Sequence, residues 1–368
     1  MYMFKYILKR IGLMLLTFMI IFTMCFVLVK LLPNRPADQF GKDKELIEMR
    51  REMLGYNKPI MEQYWIYLFG RTGYEIPMLD KNGEVQIDAT TGLPKTKMVF
   101  DESKIPEGVE GTKKTVGGII RGYFGTSEAL YLGRDVWEVF VEKVPYTVSL
   151  NLASILVSIP IGLALGIYAA LKKNKWQDHV ISTGVMIFVS VPSFIYAFLV
   201  QYLFYFKLGW FKPVVDATQG AFSWAFFSTA IPAILSMCFG TIAGFARYTR
   251  AELTEVLTSE FMLLARTKGL TKGQATLRHA MRNAMVPIFP MILGEFISIM
   301  SGSLIIENMF TIPGVGALYI GAIQAQPTPD YNFFMLLTGF YTFIGLAAGI
   351  VIDISYGIID PRIRMGAR

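Results

Sequence analysis

Only two cysteines and two histidines occur in 368 residues, and neither pair supports a metal site or a disulfide framework. Cys25 and Cys238 sit inside apolar runs with no metal-ligand spacing, so they read as small packing residues. His179 and His279 are too few to share a metal and read as structural. Charge is also scarce. Asp, Glu, Lys and Arg make up 17% of the chain, against about 25% in soluble domains. A soluble protein of this length would need more charge to cover its outside. Reaction signatures are missing as well: there is no G-x-S-x-G, no zinc motif and no usefully spaced pair of acids. The phosphate cradle G-x-x-x-x-G-K-[ST] is absent, and Gly111-Thr-Lys-Lys lacks its spacing. No catalytic residue, bound cofactor or metal is therefore expected in this chain.

Apolar residues are abundant at 53%, and they are gathered into long runs. Uncharged stretches of about 20 residues mark membrane-spanning helices. Six such stretches occur: Ile11–Val29, Tyr146–Leu171, Val180–Phe206, Phe222–Ala246, Asn283–Ile306 and Tyr331–Ile352. Only the fifth carries a charge, Glu295. The first follows Lys5, Lys9 and Arg10, but it is too long for a signal h-region and lacks an A-x-A site, so it reads as a retained helix.

The basic residues give the expected orientation, because inward loops are rich in Lys and Arg. Lys172, Lys173 and Lys175 follow span two. Arg247, Arg250, Arg266, Lys268, Lys272, Arg278 and Arg282 follow span four, and Arg362, Arg364 and Arg368 follow span six. The segment Glu307–Asn332 has no basic residue. Both termini are expected inside. Residues 33–145 hold 16 basic against 18 acidic residues, and the rest of the chain 19 against 10. The net charge of +7 therefore belongs to the inner face and its lipids or partners, and nucleic acid is not needed to explain it.

Three regions follow: 1–32 with span one, an outer segment 33–145, and a core 146–368 with five spans and an inner loop 247–284. Within the outer segment, Asp43–Leu54 has helical apolar spacing with Gly55 as a stop. Glu84–Asp88 and Lys95–Phe100 are β-prone, with turn chemistry at Asp80-Lys-Asn-Gly83 and Thr90-Thr-Gly92. A small hairpin insertion is expected over 71–118, either as surface decoration or as a docking surface for an external protein.

The loop after span four reads as two short helices, Ala251–Thr267 and Lys272–Asn283, bent at Lys268-Gly269. Its residue order resembles the coupling loop of the oligopeptide and dipeptide permeases, the B-type membrane subunits of ABC importers. Ala265, Arg266, Lys268, Gly269 and Leu270 match A-R-x-K-G-L; Arg278, His279, Ala280, Arg282, Asn283, Ala284 and Pro287 match R-H-A-x-R-N-A-x-x-P. The broader importer signature, E-A-A and a glycine, is only partly present as Leu263-Leu-Ala265 before Gly269, a looseness that peptide permeases share. The resemblance extends to Val144-Pro-Tyr-Thr-Val-Ser-Leu150, Val191-Pro-Ser-Phe194, Leu208-Gly-Trp-Phe211, Ile306-Glu-Asn-Met-Phe-Thr-Ile-Pro-Gly-Val-Gly316 and Asp360-Pro-Arg-Ile-Arg364. Residues 71–118 have no counterpart in the short form of the family.

The resemblance implies an all-α fold of the type I importer kind in a bacterial cytoplasmic membrane. It implies a second homologous permease, two ATPase subunits that bind ATP and Mg, an external peptide-binding protein, and peptide as cargo. It places the ATPase contact at Glu260–Ala275, with Glu260, Ala265, Arg266, Lys268, Gly269 and Leu270 as its residues; solvation of the two charges at the membrane surface is the alternative. An ionisable residue within a span is a functional candidate, so Glu295 either faces the translocation path or packs against a neighbouring helix or subunit. Ser298, Ser301 and Ser303, and the stripe Asn151, Ser154 and Ser158, either line the path or permit close packing. Pro160, Pro192 and Pro232 are candidate kinks. The rival readings are an ion-gradient transporter, a membrane receptor or scaffold, and the same importer family carrying nickel complexes, haem or glutathione.

Overall fold

The computed structural model describes residues 2–31, 52, 55, 58–80, 84–87, 92–106, 108–326 and 329–359. Apart from Glu52, the helix expected over Asp43–Leu54 lies outside these residues, as does the closing motif Asp360–Arg364. In chain order the elements are α1 (Tyr2–Leu31), α2 (Ile60–Phe69), β1 (Arg71–Pro77), β2 (Thr96–Val99), β3 (Thr112–Val116), α3 (Val136–Leu171) and α4 (Trp176–Ser190). They continue with α5 (Ser193–Gln201), α6 (Trp224–Leu257), α7 (Glu260–Thr267), α8 (Lys272–Ala275), α9 (Met281–Ile297), α10 (Leu304–Met309), α11 (Val315–Gln324) and α12 (Tyr331–Ile359). Among the described residues, five helical stretches are long and apolar enough to cross a membrane, and counting the bent pair α4–α5 as one span gives six.

Spans two and four outrun the uncharged stretches that announce them, whereas the helix of span five ends at Ile297 and a 3-10 turn at Ser298–Ser301, short of the expected Ile306. Span two begins at Val136, ten residues before Tyr146, because Val136, Val139 and Phe140 are buried although Glu138, Glu142 and Lys143 lie between and after them. Asp135 opens this helix, its Oδ1 accepting from the Trp137 N–H at 2.8 Å. Span four runs past Ala246 to Leu257 with Thr249 and Leu253 buried, and Ser223 caps its start by accepting from the Phe226 N–H at 3.1 Å. Pro160 and Pro232 stay inside unbroken helices, whereas Pro192 separates two helices bent by 98°.

The chain divides into two compact units, one of residues 1–18, 140–320 and 339–368, the other of residues 19–139 and 321–338. In the first, spans two and four meet in a close seam. A Cβ on Gly162 would lie 2.9 Å from the Ile242 carbonyl oxygen, and one on Gly166 2.7 Å from that of Ala246. Only glycine permits backbones so close, the small-x-x-x-small packing of membrane helices. Ile155, Ile159, Phe245 and Ile288 bury themselves beside this seam.

In the second unit the insertion is a three-stranded antiparallel sheet of order β2-β1-β3, with Tyr74 opposite Val99 and Arg71 opposite Val116. The expected strand at Lys95–Phe100 is present as β2, while Glu84–Asp88 contributes only bridges at Val85 and Ile87. Arg71–Pro77 and Thr112–Val116, whose lysines and glycine mask their β character, complete the sheet in place of a lone hairpin. Asp330 anchors the start of α12. Its Oδ2 accepts from the Ser127 hydroxyl at 2.6 Å and from the N–H groups of Glu128, Ala129 and Leu130 at 3.0–3.2 Å.

Candidate functional site

The loop after span four is built from two local signals placed back to back. After α6 ends at Leu257, α7 closes in a Schellman turn: the Gly269 N–H donates to the Arg266 carbonyl at 3.0 Å and the Leu270 N–H to that of Ala265 at 3.4 Å. Gly269 has φ +88°, which explains the glycine at the bend. Leu270, the residue after it, packs against the buried cluster of Ala170, Leu253, Met262, Ala265, Ala275, Ala280 and Ala284. A reciprocal capping box then starts α8, with the Gln274 N–H donating to the Thr271 hydroxyl and the Thr271 N–H to the Gln274 Oε1. The two expected helices differ in bounds: the first begins at Glu260, not Ala251, and the second runs through a π-turn at Thr276–Ala280 into α9.

One side of this loop is buried and the other is not. Met262 and Ala265 face the core, while Leu263, Leu264 and Leu277 are 65%, 56% and 75% exposed. Glu260, Arg266, Lys268, Gly269, Arg278, His279 and Arg282 on the same loop are exposed as well. Three exposed leucines on a loop that also exposes Arg266, Lys268, Arg278 and Arg282 are the kind of apolar surface that marks an interaction site. Of the residues expected at the contact, Glu260, Arg266 and Lys268 are thus available to it; Ala265 and Leu270 shape it from within.

An ion pair that sequence reasoning missed braces the loop's base. The Asp178 carboxylate, 1% exposed, accepts from Arg250 Nε and from Arg250 Nη2 at 2.8 Å, and from the Asn174 N–H at 2.9 Å. It ties the start of span three to the end of span four.

The polar residues expected along a path fall into two groups. Asn151 Nδ2 donates to the carbonyls of Thr147 and Ile299, each at 2.9 Å, and Ser158 donates to the Ser154 carbonyl. Ser154 meets Cys238 Sγ at 3.7 Å. These three are buried and bonded within the chain. Glu295 and Ser301 are half-buried and Ser298 is exposed, and among the described residues none of the three has a hydrogen-bond partner for its side chain. Ser303 caps α10 by accepting from the Ile306 N–H at 3.2 Å.

The motif Ile306–Gly316 folds around one buried carboxylate. Glu307 is fully buried; its Oε1 accepts from the Thr147 hydroxyl at 3.0 Å and its Oε2 from the N–H groups of Gly316 at 2.7 Å and Ala317 at 3.3 Å. Thr147 in turn accepts from the Val315 N–H at 2.8 Å, so the start of α11 closes on both side chains. A Cβ on Gly302, Gly314 or Gly316 would strike this carboxylate, so the glycines are the walls of its cradle. Burial pushes the Glu307 carboxyl up to about 7, opposed by the hydrogen bonds from Thr147 and the two amides.

Comparison with known proteins gives a consistent picture. Residues 162–365 match the family described as binding-protein-dependent transport system inner membrane component, and residues 3–76 match the N-terminal component of the same systems. The chain is 28% identical to a dipeptide transport system permease protein of Lactococcus lactis, over 99% of this chain and 100% of that one. It is 29% identical to a putative peptide transport system permease protein of Brucella abortus, over 97% and 98% of the two chains. It is 27% identical to a glutathione transport system permease protein of Salmonella typhi, over 98% and 99%.

Proposed function

Because this chain belongs to the family of binding-protein-dependent transport system inner membrane components, we propose that it is one permease half of an ATP-driven importer of peptides. It is a multi-pass membrane protein whose work depends on an external binding protein and on ATPase subunits, the family's mode of operation. A second homologous permease completes the pathway, and two ATPase subunits drive it from the cytoplasm. Both chain termini and the loop after span four face those subunits, in keeping with the Lys and Arg that gather there. Peptide cargo is supported by the dipeptide and peptide permeases that the chain resembles along almost its whole length. The glutathione permease among its relatives carries a modified tripeptide, and the same cargo chemistry would serve here.

The observation that carries this reading is the exposed Leu263, Leu264 and Leu277 surface on a loop whose other side is packed against spans two and four. An ATPase cleft would cover the leucines and pair with Arg266 and Lys268, and Gly269 would hold the bend that presents them. Movement of the ATPase subunits then reaches the spans through the alanine-rich cluster beneath the loop. Within the membrane, Glu295, Ser298 and Ser301 are the proposed path residues of span five, since among the described residues their side chains have no hydrogen-bond partner. Asn151, Ser154 and Ser158 would reach the path only if span two parts from spans four and five.

Purification of the complex from membranes tests the reading. The expected result is co-purification of ATPase subunits and ATP hydrolysis stimulated by the binding protein, both lost in Leu263→Asp/Leu277→Asp while the permease remains folded. A chain that purifies alone and moves substrate on an ion gradient would sink the importer reading and make Glu295 the residue to follow.

A further inference from the structure

Among the described residues, span three is the span that divides into two helices bent sharply against each other. α4 ends at Ser190, α5 begins at Ser193, and the two are bent by 98°. Val191 (ψ 127°) and Pro192 (ψ 140°) are extended, as a proline requires of the residue before it. Proline alone does not dictate this outcome, since Pro145, Pro160, Pro232, Pro287 and Pro290 all lie inside continuous helices. From Trp176 to Ser190, α4 is roughly 22 Å long. The break therefore falls within a hydrocarbon core about 30 Å thick.

The interruption frees backbone groups. The Val191 N–H takes the Ile187 carbonyl at 3.0 Å and the Ile195 N–H the Pro192 carbonyl at 3.0 Å. The carbonyls of Phe188, Val189 and Ser190 and the N–H groups of Ser193 and Phe194 lie at helix ends, where intrahelical partners run out. No side chain caps α5. Ser190, Pro192 and Ser193 are all exposed. Elsewhere in the spans, buried serines give their hydroxyls to their own helix, as Ser158 and Ser236 do. Among the described residues, the Ser190 and Ser193 hydroxyls have no such partner. Behind the break, Phe188, Tyr196 and Phe239 form a packed aromatic wall, with Phe188 and Phe239 stacked at 5.0 Å.

Bare backbone at this depth cannot face lipid, because each unsatisfied group costs several kcal/mol there. It must be covered by protein or by water. A dry subunit interface would need a fixed donor for every freed carbonyl, whereas a channel supplies water and, in turn, the amide groups of a passing peptide. We propose that the break at Ser190–Ser193 lines the water-filled translocation path, with its freed carbonyls and two serine hydroxyls turned to the cargo. The proposal rests on the importer reading above.

The test uses the whole complex in native membranes, with Cys25→Ala and Cys238→Ala as background. Ser190→Cys and Ser193→Cys are introduced singly, with Ile20→Cys as a mid-span control on the exposed side of α1. The readout is the rate of modification by a membrane-impermeant methanethiosulfonate. Modification of the two break cysteines at least tenfold faster than the control is expected. Rates no faster than the control would overturn the proposal, because the break would then be dry. ATP hydrolysis is measured on the same sample, so a failed importer reading shows as absent turnover and is not confused with a dry break.

Discussion

The two ends of span five carry segments of similar length that do not cross the membrane, and they solve opposite problems. After span five, the Glu307 segment satisfies itself: a buried carboxylate, Thr147 and the first amides of α11 use up one another's hydrogen bonds inside glycine walls. Before span five, the loop of α7 and α8 closes its turns with a Schellman motif and a capping box but leaves three leucines exposed. One end is complete within the chain; the other keeps an exposed apolar face, the proposed seat of a partner. Substitutions should therefore harm folding at the first and assembly at the second.

The sharpest break in this comparison is Gly314→Val. Its branched side chain would occupy the space of the Glu307 carboxylate and Thr147, and loss of folded protein in detergent is expected by size-exclusion chromatography. Next is Glu307→Ala, which strands the Thr147 hydroxyl and two amides; a loss of about 3 kcal/mol is expected from thermal unfolding of the purified chain. A smaller effect concerns pH. With the folded carboxyl raised from 4.5 to about 7, the folded state holds a proton that the unfolded state has released. Its stabilisation is therefore full below about pH 4.5 and declines as pH rises through 7, by roughly 1–3 kcal/mol. Unfolding midpoints recorded from pH 5 to 8 should show this decline in the wild type and not in Glu307→Gln. Smallest on the same stability scale is Leu277→Ser, expected within about 0.5 kcal/mol of wild type because Leu277 is 75% exposed. Yet retention of ATPase subunits during purification should fall at least tenfold in that variant. Stability loss at Leu277 without assembly loss would reverse the contrast between the two ends.

How far the sequence foretold these ends depends on the range of the interactions. The bend at Gly269 was readable because its signal, A-R-x-K-G-L, spans only six residues, whereas the Thr271–Gln274 box beside it was seen only in the structure. Six spans were readable because uncharged runs leave no other solvent than lipid. Their ends were not, since Glu138 and Arg250 are helical residues that look like loop residues until Val139 and Leu253 are seen buried beside them. Glu307 was legible as part of a motif but not as a buried hub, because Thr147 lies 160 positions away. Asp178 and Arg250 likewise meet across 72 positions. The choice of Pro192 over five other prolines as the point of rupture rests on what surrounds each helix, which no local pattern records.

The glycine seam between spans two and four has a mechanical consequence. Backbones in direct contact at Gly162 and Gly166 leave no side-chain layer to compress, so the two helices form one stiff beam. Ala170 and Leu253, near the end of that beam, belong to the same cluster as the residues of α7 and α8. If the loop receives a push, as the importer reading proposes, little local repacking is available to absorb it, and the two helices would tilt together, with the length of the beam as the lever arm.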